Sequence, residues 1–375
     1  MGVPYAYGYW EQDMTTLKPL DHLDPARFET SMILKKLASA SRRLAELKGV
    51  AASIPNQGIL INTLGLQEAK DSSEIENIVT THDELFRGED STQEAIDAAT
   101  KEVLRYRQAL RKGFLLVKES GLLTLNHMLS IQEVLEQNRA GFRKLPGTTL
   151  RNNAGEVVYT PPQDQHEVQR LMGELERFLN EDVPFDADPL IKMSLIHHQF
   201  ESIHPFYDGN GRTGRILNVL YLVKEGLLDI PVLYLSSQIV KSKAEYYRLL
   251  QAVRDEDAWE AWVFFMLDVV EKTAAQTIRT IGAIKDAVQD YKHRIRARHK
   301  FYSQDLINNL FTHPYTRIEF VERDLKVSRV TATRYLDKLA EDGFLAKQKR
   351  GRGNYYVNVA LTAILVGRSP EGEAG

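Results

Sequence analysis

Apolar residues recur along most of this chain at the spacing of a helix rather than of a strand. After Asp24-Pro25, an N-cap followed by proline at the first helical position, Ile33, Leu37, Leu44 and Leu47 fall on one face, and Gly49 is expected to end the run. The same periodicity appears in "EAIDAATKEVLRYRQALRKGFLLV" and in "LIKMSLIHHQFESI", where Met193, Ile196, Phe200 and Ile203 form a stripe leading into "HPFYDGNGRTGR". That motif is therefore expected at a helix end. The clearest strand signal before residue 300 is "TTLRNNAGEVVYTPP", in which two β-prone runs flank the turn-forming "NNAG" and Pro161-Pro162 stops the second run. It predicts an isolated hairpin. From about residue 301 the pattern shortens: "FYSQDLINNLF", "RIEFVERDL" and "SRVTATRYLDKLAEDGFL" predict three helices, and "AKQKRGRGNYYVN" predicts two strands around a basic turn. This order is that of a winged helix-turn-helix, and the basic "YKHRIRARHK" before it reads as a helical connector. No repeat is present, and only the terminal "GRSPEGEAG" has the composition of a disordered tail.

Composition narrows the classes. A chain of 375 residues has room for roughly two to three domains at about 150 residues each. A formal net charge of −3 argues against wholesale wrapping of nucleic acid, so any basic surface is local. The absence of cysteine removes disulfides, thiolate metal sites and cysteine nucleophiles, and suits a reducing cytoplasm. The N-terminal "MGVPYAYGYW" carries no targeting pattern, and the densest apolar run, "WVFFMLDVV", is interrupted by Asp268 and is short of the roughly 20 residues a membrane span needs. The expectation is a cytoplasmic protein with no membrane partner.

Within "HPFYDGNGRTGR", Gly209-Asn210-Gly211 offers consecutive backbone N–H groups just before the apolar pattern of "RILNVLYLV". A loop of this kind at a helix N-terminus binds anions, because orphan amides and the helix dipole point at the ligand. Arg212 and Arg215, three apart, share a helix face and can clamp further phosphate oxygens. Asp208 beside the loop opposes phosphates unless a hard cation lies between them, and Mg²⁺ is the usual one. His204 is the proton-transfer group matched to neutral pH, and Pro205 is expected to keep its backbone extended. Other readings of these residues are weaker. "GNGRTG" fits a dinucleotide fingerprint literally, but no buried strand precedes it; a Walker A loop needs Gly-Lys-Ser/Thr; and His197, His198 and His204 lack the spacing of a zinc site.

"HPFYDGNGRTGR" resembles the full motif of Fic-domain proteins without departure. The resemblance extends further: "DSSEIEN" looks like that family's inhibitory helix, "TLRNNAGEVVYTPP" like its target-docking flap, and the C-terminal region like the winged-helix appendage of some members. It implies a mainly α fold, a Fic helical core with a β-hairpin flap plus a C-terminal winged helix-turn-helix domain. The corresponding division is 1–100 for an N-terminal helical region with the inhibitory helix, 101–285 for the catalytic core, 286–365 for the winged helix and 366–375 for the tail.

The implied activity is transfer of AMP from ATP to a Ser, Thr or Tyr hydroxyl of a protein, the chain itself included among the targets. His204 would accept the hydroxyl proton and Asp208 would hold Mg²⁺. The loop amides of Gly209 and Gly211, with Asn210, would stabilise the α-phosphoryl group, while Arg212 and Arg215 hold the outer phosphates. Phosphocholine transfer and removal of AMP are the alternatives inside the family, and a homodimer is compatible with the reading. Ser72, Glu76 and Asn77 match the inhibitory pattern, in which Glu76 pairs with Arg215. The competing reading is that Ser73-x-x-Glu76 is a capping box. In the flap, Thr148, Thr149 and Leu150 on one run, and Val157, Val158 and Tyr159 on the other, would offer an unpaired edge to an extended target segment. The winged helix has two readings, a transcriptional regulator binding DNA or a protein-docking module. For DNA, Arg329, Thr331, Thr333 and Arg334 would lie early in the recognition helix, and Lys347, Lys349, Arg350 and Arg352 would form the wing.

Overall fold

The helical periodicity is realised in a computed structural model that describes residues 17–88, 96–152, 154–181, 185–350 and 353–367. Asp24 does cap, accepting the Ala26 N–H at 2.9 Å, but only the single 3-10 turn Pro25–Phe28. The long helix behind it, α1 (Ser31–Ala52), starts from its own cap, Thr30, and runs through Gly49, because one glycine costs a helix interior only about 1 kcal/mol. Next come α2 (Gly58–Ile75), α3 (His82–Gly88), α4 (Ala98–Ser120) and α5 (Leu125–Glu136). Asp97 and Thr124 cap the last two, so α4 opens four residues after the start of its predicted stretch. A hairpin of β1 (Leu150–Arg151) and β2 (Val157–Tyr159) precedes α6 (Gln165–Asn180) and α7 (Pro189–Ile203). Then follow α8 (Asn210–Lys224), α9 (Ser236–Lys241), α10 (Lys243–Glu256) and α11 (Trp259–Arg298).

The helix leading to the motif lies deeper than one apolar stripe requires. Every residue of α7 from Leu190 to Ile203 is buried, between α6, α8 and α11. A helix enclosed on all sides must partner its polar groups. His197 shares a hydrogen bond of 2.8 Å with the Tyr246 hydroxyl, and His198 donates to the Leu250 carbonyl at 3.1 Å. The indole of Trp262 donates to the Ser194 carbonyl at 2.7 Å. α7 is thus a fixed post, and what emerges at its end is fixed with it.

At 40 residues α11 is about 60 Å long. Asp268, the charge inside its apolar run, pairs with Lys36 of α1 at 2.8 Å and with Lys272 at 2.7 Å, and Glu271 also meets Lys36. The helix runs unbroken past residue 285, where the sequence reading divides the core from the C-terminal unit. Its far end carries that unit, with the Tyr291 hydroxyl donating to the Phe344 carbonyl at 2.7 Å.

The C-terminal unit holds α12 (Gln304–Thr312), β3 (Tyr315–Thr316), α13 (Ile318–Leu325), α14 (Arg329–Glu341), β4 (Leu345–Arg350), β5 (Gly353–Asn358) and α15 (Val359–Val366). Its sheet is antiparallel in the order β3-β5-β4. α14 stops before the predicted Leu345 because Gly343 turns the chain with φ +77°. β3 and α15 escape the sequence pattern, being respectively two residues long and apolar on every side. Val366 belongs to α15 and Gly367 is its left-handed cap; the rest of the expected tail, residues 368–375, lies outside the described residues. The unit packs back on the N-terminal region: α12 and α15 meet α2, Tyr315 donates to Asp83 at 2.6 Å, and its ring stacks on Phe86 with centroids 5.3 Å apart. Among the described residues no helix is long and apolar enough to cross a membrane.

Candidate active site

Helix α7 ends on His204, whose N–H bonds the Phe200 carbonyl at 2.9 Å. The residue is not extended, as Pro205 suggests, but left-handed, with φ +49° and ψ +58°. That conformation serves as the C-cap of α7, which reverses the chain into the loop, and it is uncommon for a residue with a side chain. Burial above all pulls the His204 imidazole down to about 4, so it is a neutral proton acceptor at pH 7.

Arg143, which sequence reasoning missed, fixes this corner. Its Nε donates to the His204 carbonyl at 2.8 Å, one terminal nitrogen reaches the carbonyls of Ile203 (3.2 Å) and Pro162, and its own N–H bonds the Pro205 carbonyl at 2.8 Å. A guanidinium only 1% exposed thereby joins the loop to the end of the flap. No local pattern announces it, since its partners lie 19 residues (Pro162) to about 60 residues (Ile203 and His204) along the chain.

The loop is braced from within. The Asn210 carboxamide accepts the Phe206 N–H at 2.8 Å and donates to the Phe206 carbonyl at 2.9 Å. The carboxamide thus braces the loop through one accepted and one donated bond, beside the backbone N–H groups that the loop offers a ligand. Phe206 is fully buried against Phe142 and Phe200, the core anchor of the motif. Gly209 takes φ +75° as the N-cap of α8. Gly214 lets α8 approach α7, since a Cβ there would lie 2.8 Å from Glu201 and 3.1 Å from the Phe200 ring.

Glu76 lies at the C-terminal end of α2, directly over this loop. Its Oε1 meets the Arg215 guanidinium at 2.8 Å and its Oε2 meets Arg212 Nε at 2.7 Å. A Cβ on Gly211 would be 2.6 Å from Glu76 Oε1 and 2.8 Å from an Arg215 nitrogen, so the ion pair lies directly on this glycine. Arg215 also donates to the Ser72 hydroxyl at 2.8 Å and to the Ser72 carbonyl at 2.9 Å. Asn77 has φ +63°, a conformation that glycine and asparagine tolerate best, and it turns the chain away after Glu76. The capping-box reading fails, because Ser73 stands near the end of α2 rather than before its start at Gly58. Buried Glu68 anchors the middle of α2, accepting from the Tyr106 hydroxyl at 3.0 Å and the Ser236 hydroxyl at 2.5 Å. Burial pushes it up to about 8.

Arg212 and Arg215 are enclosed, with side chains 2% and 3% exposed. Glu102 and Glu136, neither singled out by sequence reasoning, also pair with Arg212. Asp208 is the open group of the loop: its side chain is 77% exposed, it accepts the Gly209 N–H at 2.7 Å, and it lies 3.7 Å from Arg212. His197 and His198 are committed to Tyr246 and Leu250, and the described residues hold no cluster of three metal-ligating side chains.

The hairpin forms a sheet of its own, with Leu150 opposite Tyr159 and Arg151 opposite Val157 across a bulge. Thr148 and Thr149 precede β1 instead of belonging to it. Val157 and Val158 are exposed, while Tyr159 ties the hairpin down. Its hydroxyl donates to the Ser202 carbonyl at 3.1 Å, and Arg254 lies 4.0 Å over its ring. Tyr207 accepts the N–H groups of Lys144 (2.9 Å) and Leu145 (3.3 Å), which draws the approach to the hairpin onto the loop. Of the tyrosine pair in "KAEYYRLL", Tyr246 is core and Tyr247 is half-exposed beside it.

Comparison with known proteins gives three family matches: Fic/DOC family N-terminal over residues 34–115, Fic/DOC family over 122–222, and Protein adenylyltransferase SoFic-like, C-terminal domain, over 287–361. The chain is 28% identical over 168 residues to Protein adenylyltransferase fic-1 of Caenorhabditis briggsae, covering 43% of this chain and 30% of that protein. It is 30% identical over 148 residues to Protein adenylyltransferase Fic of Drosophila melanogaster, covering 39% of this chain and 29% of that protein. The chain thus matches less than a third of the length of these relatives. Among solved structures, a Fic family protein from Desulfovibrio desulfuricans G20 aligns with 95% of this chain and 100% of its own, at a TM-score of 0.57 and 20% identity. Fic-1 from C. elegans aligns with 68% of this chain and 74% of its own, at 0.52 and 19%. These structural likenesses speak to the fold.

Proposed function

The chain belongs to the Fic/DOC family, and from that premise we propose that it is a protein adenylyltransferase, moving AMP from ATP to a protein hydroxyl and restrained by Glu76. The observation that carries this reading is the convergence at one loop of a neutral imidazole, a glycine-lined helix N-terminus and two enclosed arginines, with a single carboxylate bridging both arginines. The target's hydroxyl oxygen attacks the α-phosphorus, the bond from that phosphorus to the bridging oxygen of the β-phosphate breaks, and pyrophosphate leaves. His204 takes the hydroxyl proton. The backbone N–H groups at the start of α8 face the charge that grows on the phosphoryl oxygens. Arg212 and Arg215 hold the outer phosphates, which requires Glu76 to withdraw.

Asp208, an exposed carboxylate at the mouth of an anion-binding loop, suits a hard cation and is the residue that would hold Mg²⁺. The ion would supply charge neutralisation on the phosphate oxygens. The hairpin's free edge, with Val157 and Val158 outermost, would take an extended target segment by main-chain pairing.

We read the C-terminal unit as a winged helix whose partner is a protein rather than DNA. Arg329, at the head of α14, is engaged by Glu319 at 2.9 Å and Glu322 at 3.5 Å, and Lys347 by Asp337 at 2.6 Å. Val330 beside them is 80% exposed. Cations already paired within the fold release few counterions from a duplex. The side chains of Arg350 and Arg352 lie outside those described. Mass spectrometry of the purified protein after incubation with ATP and Mg²⁺, alone and with cell extract, tests the activity. An AMP adduct on a hydroxyl side chain is expected, and a phosphoryl or phosphocholine adduct in its place overturns the reading.

A further inference from the structure

Arg212 is held by three glutamates from three different helices, each on a different nitrogen. Glu76 of the α2 end takes Nε at 2.7 Å, Glu102 of α4 takes one terminal nitrogen, and Glu136 at the end of α5 takes the other at 3.1 Å. One carboxylate neutralises one guanidinium, so the other two need a reason. Glu136 in particular is a costly choice, because its side chain is only 12% exposed and burial pushes it up to about 7.

The three glutamates differ in freedom. Glu76 is the last residue of a helix end and can leave with a small movement of that end. Glu102 and Glu136 project from α4 and α5, helices that pack on one another and on α8. The contact is tight: a Cβ on Gly113 of α4 would lie 2.5 Å from Leu220 of α8 and 2.8 Å from Ile131 of α5. Glu136 also underlies the loop itself, since a Cβ on Gly209 would lie 2.4 Å from its Oε1. When Glu76 withdraws, Glu102 and Glu136 stay, and the Nε edge of Arg212 is what opens toward the loop.

We propose that Glu102 and Glu136 are positioning residues that fix the Arg212 guanidinium so that its Nε edge is presented to the outer phosphates of the nucleotide. This rests on the adenylyl-transfer reading. The opposite role, in which the two acids act as further brakes that repel the nucleotide, predicts a change of opposite sign in the test.

The test uses the full chain with Glu136→Gln, Glu102→Gln and both together, in wild type and in Glu76→Gly. Rates of label transfer from α-labelled ATP are measured alongside the affinities for ATP and AMP and the thermal midpoint. Loss of positioning lowers kcat and the preference for ATP over AMP by about tenfold, since AMP lacks the phosphates Arg212 would hold, while AMP affinity and the midpoint stay unchanged. Unchanged kcat and unchanged preference overturn the proposal. So does a rise in either, which would make the two acids brakes, and so does a parallel fall in ATP and AMP affinity with the midpoint, which would make them merely structural. If the Glu76→Gly parent transfers no label, the functional reading fails, and the ATP-over-AMP preference still decides the positioning role; a parent that binds neither nucleotide overturns both.

Discussion

Replacing Glu76 with glycine removes a charge-assisted hydrogen bond at 2.8 Å to Arg215 and an ion pair at 2.7 Å to Arg212, from a site where both arginines are almost fully enclosed. Bonds to charged groups are worth about 1.5–3 kcal/mol each. The two do not add fully, because Arg212 keeps Glu102 and Glu136 while Arg215 keeps the Ser72 hydroxyl and carbonyl. A differential of about 3 kcal/mol between restrained and released states corresponds to a rate increase on the order of 100-fold. The substitution stands at the C-cap of α2, φ −92°, where glycine is tolerated, so the fold should persist. The assay is the initial rate of label transfer from α-labelled ATP to protein at saturating ATP, with Glu76→Gln beside it. The glutamine keeps one acceptor oxygen without the charge and is expected to fall between wild type and glycine. A Glu76→Gly rate within twofold of wild type in purified protein would refute the restraint.

His204→Ala should abolish transfer and leave ATP affinity within about twofold, measured by calorimetry, because the imidazole acts on the target hydroxyl and not on the outer phosphates. Arg143→Met leaves three backbone carbonyls without their buried donor, so a loss of about 3 kcal/mol in unfolding free energy and of most activity is expected in denaturant melts. Replacing residues 149–160 by a short linker should stop modification of targets while nucleotide binding survives in a fluorescence titration. Glu68 has its folded value raised to about 8 by burial, so the stability it contributes is complete below its ordinary range near 4.5 and is lost as pH rises through about 8. Glu68→Gln should therefore raise the unfolding free energy at pH 9 by an amount on the order of a few kcal/mol, read from denaturant melts, and change little at pH 5; equal effects at both would contradict the assignment.

The parts of the site that lie together in sequence were legible in it. His204, Gly209, Gly211 and Arg215 stand within one loop and helix start, so their proximity follows from the sequence order itself. The hairpin was legible because Asn152 and Gly155 form its turn locally, with Gly155 at φ +81°. What escaped is set by contacts between distant segments. Glu102 and Glu136 read as ordinary helix-surface acids until α4 and α5 pack against α8, and Arg143 reads as a loop cation until Ile203 and His204 return to it. The brace that Asn210 provides for the Phe206 N–H and carbonyl also escaped, because it depends on how the loop folds back on itself. Pro205 misled about His204, because the demand to close α7 outweighed the local preference for extended backbone. The capping-box reading was reasonable from spacing alone, and only the start of α2 at Gly58 excludes it.

The most direct test of the account runs α-labelled and γ-labelled ATP in parallel with Mg²⁺ on wild type, Glu76→Gly and Glu76→Gly combined with His204→Ala. The account predicts label on protein from the α-position alone, raised by Glu76→Gly and absent in the double variant. Label from the γ-position, label that survives loss of His204, or none from either position would contradict it.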